Sequence, residues 1–100
     1  MKLFRLIICT VVLSTMLVCS AFAQTMRVTA YCEGDITASG EAPYIGGCAC
    51  NDVPLGTTIY VNGNTYVVND RMAWDGCVDI YMGSYDECVD FGVQYQNVEW

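Results

Sequence analysis

A mainly β fold, a small closed barrel of six short strands with one short helix, is expected from three observations. Several runs rich in β-branched and aromatic residues alternate apolar with polar side chains, as half-buried strands do. Gly, Asn and Pro punctuate those runs at short intervals. Only one segment carries helix-capping residues, and so many short strands in so short a chain are best accommodated by closure, which removes exposed sheet edges.

The first element is a leader. Lys2 and Arg5 precede the apolar run Leu6 to Val18, and Ala21-Phe22-Ala23 forms an A-x-A cleavage site before Gln24, the pattern of a secretory signal peptide. The apolar run is short for a membrane span. Val18 stands where a lipobox would place a small residue before Cys19, which argues against lipidation. Residues 1–23 are therefore read as the signal and residues 24–100 as one secreted domain of 77 residues, 100 less the 23 removed.

Within that domain Arg27 to Tyr31 reads as a strand, followed by a loop-rich stretch with Gly34, Gly40, Pro43, Gly46 and Gly47. Cys48 to Asn51 is a short extended segment, and Pro54-Leu55-Gly56 is a turn. Thr57 to Val61 and Thr65 to Asn69 form a hairpin across Asn62-Gly63-Asn64, because Asn-Gly tolerates the positive φ of a type I′ turn. Cys77 to Tyr81 alternates cleanly, with Val78 and Ile80 on one face and Cys77, Asp79 and Tyr81 on the other. Ser84 and Glu87 make a capping box for a helix of about two turns that Gly92 stops, and Tyr95 to Glu99 is the last strand.

Composition narrows the chemistry. The chain has no histidine, and with the leader removed it has no lysine; Arg27 and Arg71 face eleven acids, a formal charge of −9. A nucleic-acid partner is excluded for want of a basic face, and neutral or cationic partners are favoured. Cys32, Cys48, Cys50, Cys77 and Cys88 remain in an oxidising compartment, so disulfide staples are expected, with pairing open. A small core makes such staples physically useful. The fifth thiol is left free or links two chains of an otherwise monomeric protein. No metal or other cofactor is expected: the cysteines lack paired C-x-x-C knuckles for zinc, and no D-x-[DN]-x-[DN]-G loop offers calcium ligands.

General acid or base work then falls to carboxylates. Asp70 closes the run Val67-Val68-Asn69-Asp70, Asp79 lies between Val78 and Ile80, and Asn51-Asp52 closes the segment after Gly47. Partial burial and a second carboxylate nearby would raise the Asp79 pKa toward that of a proton donor. The plainer reading makes Asp79 an exposed strand residue or a turn anchor. Trp74, in the loop between Asp70 and Asp79, with Tyr31, Tyr44 and Tyr81 expected near it, could stack on a sugar face.

The order Val28-Thr29-Ala30-Tyr31-Cys32, Thr37-Ala38-Ser39-Gly40, Cys48-Ala49-Cys50-Asn51, Pro54-Leu55-Gly56-Thr57, Val68-Asn69-Asp70, Val78-Asp79-Ile80-Tyr81 and Phe91-Gly92-Val93 resembles the 3D domain, named for three aspartates. That family is similar to the catalytic domain of MltA-type lytic transglycosylases. The resemblance covers roughly Arg27 to Glu99. It implies a double-psi β-barrel, related to RlpA-like, barwin and expansin domains, and cleavage of peptidoglycan glycan strands between N-acetylmuramic acid and N-acetylglucosamine to leave a 1,6-anhydro product. By position, Asp79 matches the third aspartate as acid/base, Asp70 the second, and Thr37 the cleft-lining threonine. Asn51 stands where the first aspartate is expected, with Asp52 after it, and the Asp70 to Gly76 segment is poor in glycine. Arg71 beside the site is expected to lower the carboxylate pKa values. Two other classes fit the same chain: a non-catalytic wall- or glycan-binding module that kept the cleft, and a small secreted effector or inhibitor.

Overall fold

The computed structural model describes residues 22–100. The expected leader lies outside the described residues except for Phe22 and Ala23. Strands β1 (Ala23–Tyr31), β2 (Gly47–Ala49), β3 (Thr58–Val61), β4 (Asn64–Asp70), β5 (Cys77–Tyr81) and β6 (Gln94–Glu99) close into one barrel in the order β1-β5-β2-β4-β3-β6. Helix α1 (Tyr85–Phe91) lies between β5 and β6 in sequence. The mainly β, six-stranded closed barrel with one short helix is thus as expected.

The hairpin forms as its turn chemistry requires. Asn62 and Gly63 take φ values of 49° and 81°, and Val61 pairs with Asn64, a two-residue loop whose twist suits the flanking strands. Ser84 Oγ accepts the Glu87 amide hydrogen at 3.2 Å to cap α1, Asp86 and Glu87 sit at its positive end, and Gly92 closes it with a 3.0 Å bond from its N–H to the Cys88 carbonyl. The helix buries no residue fully; Phe91 packs on the core and the helix rests against β1.

β1 begins at Ala23, four residues earlier than expected, because β6 runs antiparallel to it and pairs Ala23 with Glu99 through to Val28 with Gln94. Phe22 stacks on Trp100 at 4.5 Å between centroids and accepts the Trp100 amide at 3.1 Å. The A-x-A site therefore overlaps the first rungs of this ladder.

Alternation sorts each strand. Val28, Val78, Ile80, Cys48, Val68, Ile59, Val61 and Val98 fill the interior. Each fully buried aliphatic side chain contributes about 1.5–3 kcal/mol. The two cysteines of β2 and its extension, Cys48 and Cys50, belong to this core, as small hydrophobes. Burial, then Cys50 and Asp79, pushes the Cys48 thiol up to about 12.

The expectation of disulfide staples is corrected here: Cys32, Cys48, Cys50, Cys77 and Cys88 are all free thiols. Cys48 and Cys50 belong to the core, whereas Cys77 shares the outer face of β5 with Asp79. Desolvation first, and then the neighbouring Cys32, raises the pKa of Cys88 on α1.

Candidate functional site

The outer face of the wall β1-β5-β2-β4 carries a row of four residues. Thr29 pairs with Asp79, Asp79 with Ala49, and Ala49 with Asp70. The last pairing depends on a β-bulge. Cys48 pairs with Val68, so regular alternation would bring Asn69 opposite Ala49; the register slips there and Asp70 takes that place. The bulge thereby turns Asp70 onto the face that Asp79 occupies, roughly 10 Å away by backbone, two strand spacings. Ala49 stands between them, and its single methyl leaves the space open.

Gly47 permits the bulge. A Cβ there would come within 2.7 Å of Asn69 Nδ2, so only a bare backbone lets the Asn69 side chain lie over β2. Asn69 is 2 % exposed.

The result is a cleft of about 390 Å³ whose lining includes Tyr31, Glu33, Asp70, Arg71, Trp74 and Asp79, with Ala49 at its floor between the two aspartates. The two carboxyl groups differ in their surroundings. Asp70 Oδ1 accepts two backbone amides, from Ala38 at 2.9 Å and Arg71 at 2.8 Å, which fixes the group and leaves Oδ2 unengaged among the described residues. Asp79 is half-buried, and its Oδ1 accepts the Thr29 hydroxyl at 2.9 Å. Burial raises the Asp79 pKa above the ordinary value; the Thr29 bond and Arg27 pull it down, Asp70 pushes it up, and the net shift is upward. The cation that Asp79 feels is Arg27, not Arg71. Arg71 Nη1 instead donates to the carbonyls of Cys50 and Val53, both at 2.6 Å, so the expected influence of Arg71 on this acid is not found.

Thr37 does not line the cleft. It is 4 % exposed; its Oγ1 donates to the Glu41 carbonyl at 2.8 Å and meets Ser39 Oγ at 2.8 Å. These bonds close the loop 37–41 on itself. Ser39 N–H then donates to the Asn69 carbonyl at 3.0 Å, and Ala38 N–H to Asp70, so Thr37 holds the loop that holds Asp70.

Asn51 acts in the same indirect way. Its Nδ2 donates to the Met72 carbonyl at 2.7 Å, the Trp74 carbonyl at 3.3 Å and Asp75 Oδ1 at 3.0 Å, while its Oδ1 accepts the Met72 amide at 3.0 Å. Asp52 Oδ2 accepts the Gly76 amide at 2.9 Å and fixes the far end of the same loop. An aspartate at position 51 would oppose three acceptors with a fourth. The amide is the side chain this loop demands, and it sets the backbone from which Trp74 projects.

Trp74 is 65 % exposed and separates the cleft from a second hollow of about 430 Å³ beside Arg27, Asp75 and Cys77. Its indole face is free to meet a flat, partly apolar ligand such as a sugar ring. Of the residues expected from sequence, Asp70, Asp79 and Trp74 come together in one cleft, and Asn51 and Thr37 brace it from behind. Tyr31 and Arg71 were expected beside the site, Tyr31 as a ring to stack on a sugar and Arg71 as a cation near the carboxylates; Ala49 and the bracing role of Asp52 were not foreseen. Compared with known proteins, the chain matches no family model and no curated protein sequence.

Proposed function

We propose that the protein cleaves peptidoglycan glycan strands in the manner of a lytic transglycosylase, with Asp79 as the proton donor. The observation that carries this reading is the meeting of two unlike carboxyl groups in one cleft, Asp79 half-buried with a raised pKa and Asp70 fixed by two amides. Thr29 engages Asp79 Oδ1, so the proton rides on Oδ2 and passes to the glycosidic oxygen as the bond to the anomeric carbon breaks. The same carboxylate then removes the proton of the muramoyl 6-hydroxyl as that oxygen closes on the anomeric carbon, and the acid is regenerated without water. Asp70 supports this cycle by its charge, which favours the protonated form of Asp79. Trp74 stacks on a sugar at the rim.

The resemblance to the three-aspartate family and to MltA-type enzymes supports the reading, and the two parallel pairings, β1 with β5 and β2 with β4, fit a double-psi barrel. Export through the leader would place the protein with its substrate outside the cytoplasm.

Digestion of purified sacculi followed by mass spectrometry of the muropeptides is the test. Anhydro-muropeptides are expected from the wild type, with a loss of about 100-fold or more in Asp79→Asn. One observation favours a non-catalytic glycan-binding module instead: the first aspartate position holds Asn51, fully engaged in bracing the loop. Sacculus pull-down without any anhydro product would establish that module.

A further inference from the structure

Beyond the expected leader the chain has two cations, Arg27 and Arg71, against eleven acids. Arg71 is committed to the carbonyls of Cys50 and Val53. Arg27 is not: among the described residues its guanidinium has neither a carboxylate at ion-pair distance nor a hydrogen-bond acceptor. Met26 and Val28 on either side of it are buried, so alternation turns Arg27 outward, onto the face of β1 that carries Thr29.

Arg27 pairs with Cys77 as Thr29 pairs with Asp79, two residues or roughly 7 Å earlier along the same two strands. It lines the hollow of about 430 Å³ together with Trp74, Asp75 and Cys77. Trp74 lines the cleft as well, so the two spaces share that side chain as a common wall. The opposing charge in the hollow is Asp75, whose Oδ1 accepts the Asn51 amide at 3.0 Å and is thereby tied to the loop rather than to Arg27. The rest of the surface is acidic and repels an anion. An anionic substituent therefore gains a partner at one place.

We infer that Arg27 anchors a carboxylate of the ligand: the hollow across Trp74 from Asp70 and Asp79 receives a carboxylated substituent of the glycan strand, and the ion pair with Arg27 sets which sugar lies at Asp79. This rests on the reading of the cleft as a glycan site. Sugars with and without such a substituent alternate along the strand, so one fixed cation beside the acid selects the register. Two sources carry this chemistry: the lactyl carboxylate of a peptide-free muramoyl sugar, and the carboxylates of a peptide attached there.

Binding of three tetrasaccharides, followed by NMR, is the test, in protein carrying Asp79→Asn to prevent turnover. The N-acetylglucosamine tetramer is neutral. The peptide-free tetrasaccharide of alternating N-acetylglucosamine and N-acetylmuramic acid carries lactyl carboxylates, and its peptide-bearing form carries carboxylates in the peptide alone. At low ionic strength a carboxylated ligand should bind about 3- to 10-fold more tightly than the neutral tetramer. Adding Arg27→Gln should abolish that preference, Arg27→Lys should retain most of it, and Asp75→Asn should widen it. Whichever carboxylated ligand holds the preference identifies the source. Equal binding of all three, or a preference that survives Arg27→Gln, would overturn the role of Arg27 and leave the glycan site in place. A preference that depends on Arg27, with no anhydro product released from sacculi by the wild type, would remove the enzymatic reading and keep the anchor. No binding of any of the three would overturn both.

Discussion

The two faces of the wall β1-β5-β2-β4 are made by the same strands, one residue apart, and follow opposite rules. Inward, Val28, Val78, Cys48 and Val68 are sealed from solvent, and no polar side chain competes with their packing. Outward, Thr29, Asp79, Ala49 and Asp70 form a row in which each polar group is held by a bond that leaves part of it unengaged. The inner face provides stability and the outer face carries the candidate site. The difference shows how a small barrel hosts a site: the core tolerates no irregularity, and one bulge on the outer row suffices to align two acids.

The largest effect should come from exchanging the two kinds of residue. Val78→Asp places a carboxylate in the core, at a cost of about 4–5 kcal/mol or more, comparable to the whole stability of a small domain. Loss of the cooperative unfolding transition in circular dichroism is expected, whereas Asp79→Ala, one residue away, should fold.

A smaller effect is expected behind the cleft. Asn51→Asp sets a carboxylate against the Met72 and Trp74 carbonyls and Asp75, and should lose about 1–3 kcal/mol at neutral pH by chemical denaturation. Protonation in acid restores one donor, so the deficit should shrink as pH falls. Equal stability of variant and wild type at neutral pH would show that Asn51 does not brace the loop.

The smallest effect carries the most informative sign. Asp79 has a raised pKa in the folded state, so the folded protein binds more protons than the unfolded chain between the ordinary aspartate value and the raised one. Stability from this group is therefore fully present below the ordinary value and is lost as pH rises through the raised one. Asp79→Asn should show a Tm at or above the wild type at pH 7, an advantage that vanishes in acid. A lower Tm at pH 7 would mean that the charged group is net favourable where it sits.

Local signals were legible and non-local ones were not. Asn62-Gly63, the alternation of Cys77 to Tyr81, and Ser84 with Gly92 act within a few residues, and each element formed as read. The start of β1 at Ala23 depends on Glu99, far along the chain, and only the closed ladder reveals it. Asp70 and Asp79 were identifiable as residue types at strand ends and within strands. That they share a face depends on the bulge at Ala49 and on Gly47, which no periodicity encodes. Arg71 looked like a site cation from its place beside Asp70, yet its guanidinium turns to the carbonyls of Cys50 and Val53. Thr37 and Asn51 matched positions in a motif, and their partners show that they brace the cleft.

Asp70 and Asp79 act on one another across Ala49. Titration of the Asp79 side-chain carboxyl by carbon NMR tests it most directly, in the wild type and in Asp70→Asn. A wild-type pKa above the ordinary aspartate value is expected, and a lower one when Asp70 is neutralised. An Asp79 that titrates at the ordinary value, or one indifferent to Asp70→Asn, would contradict it.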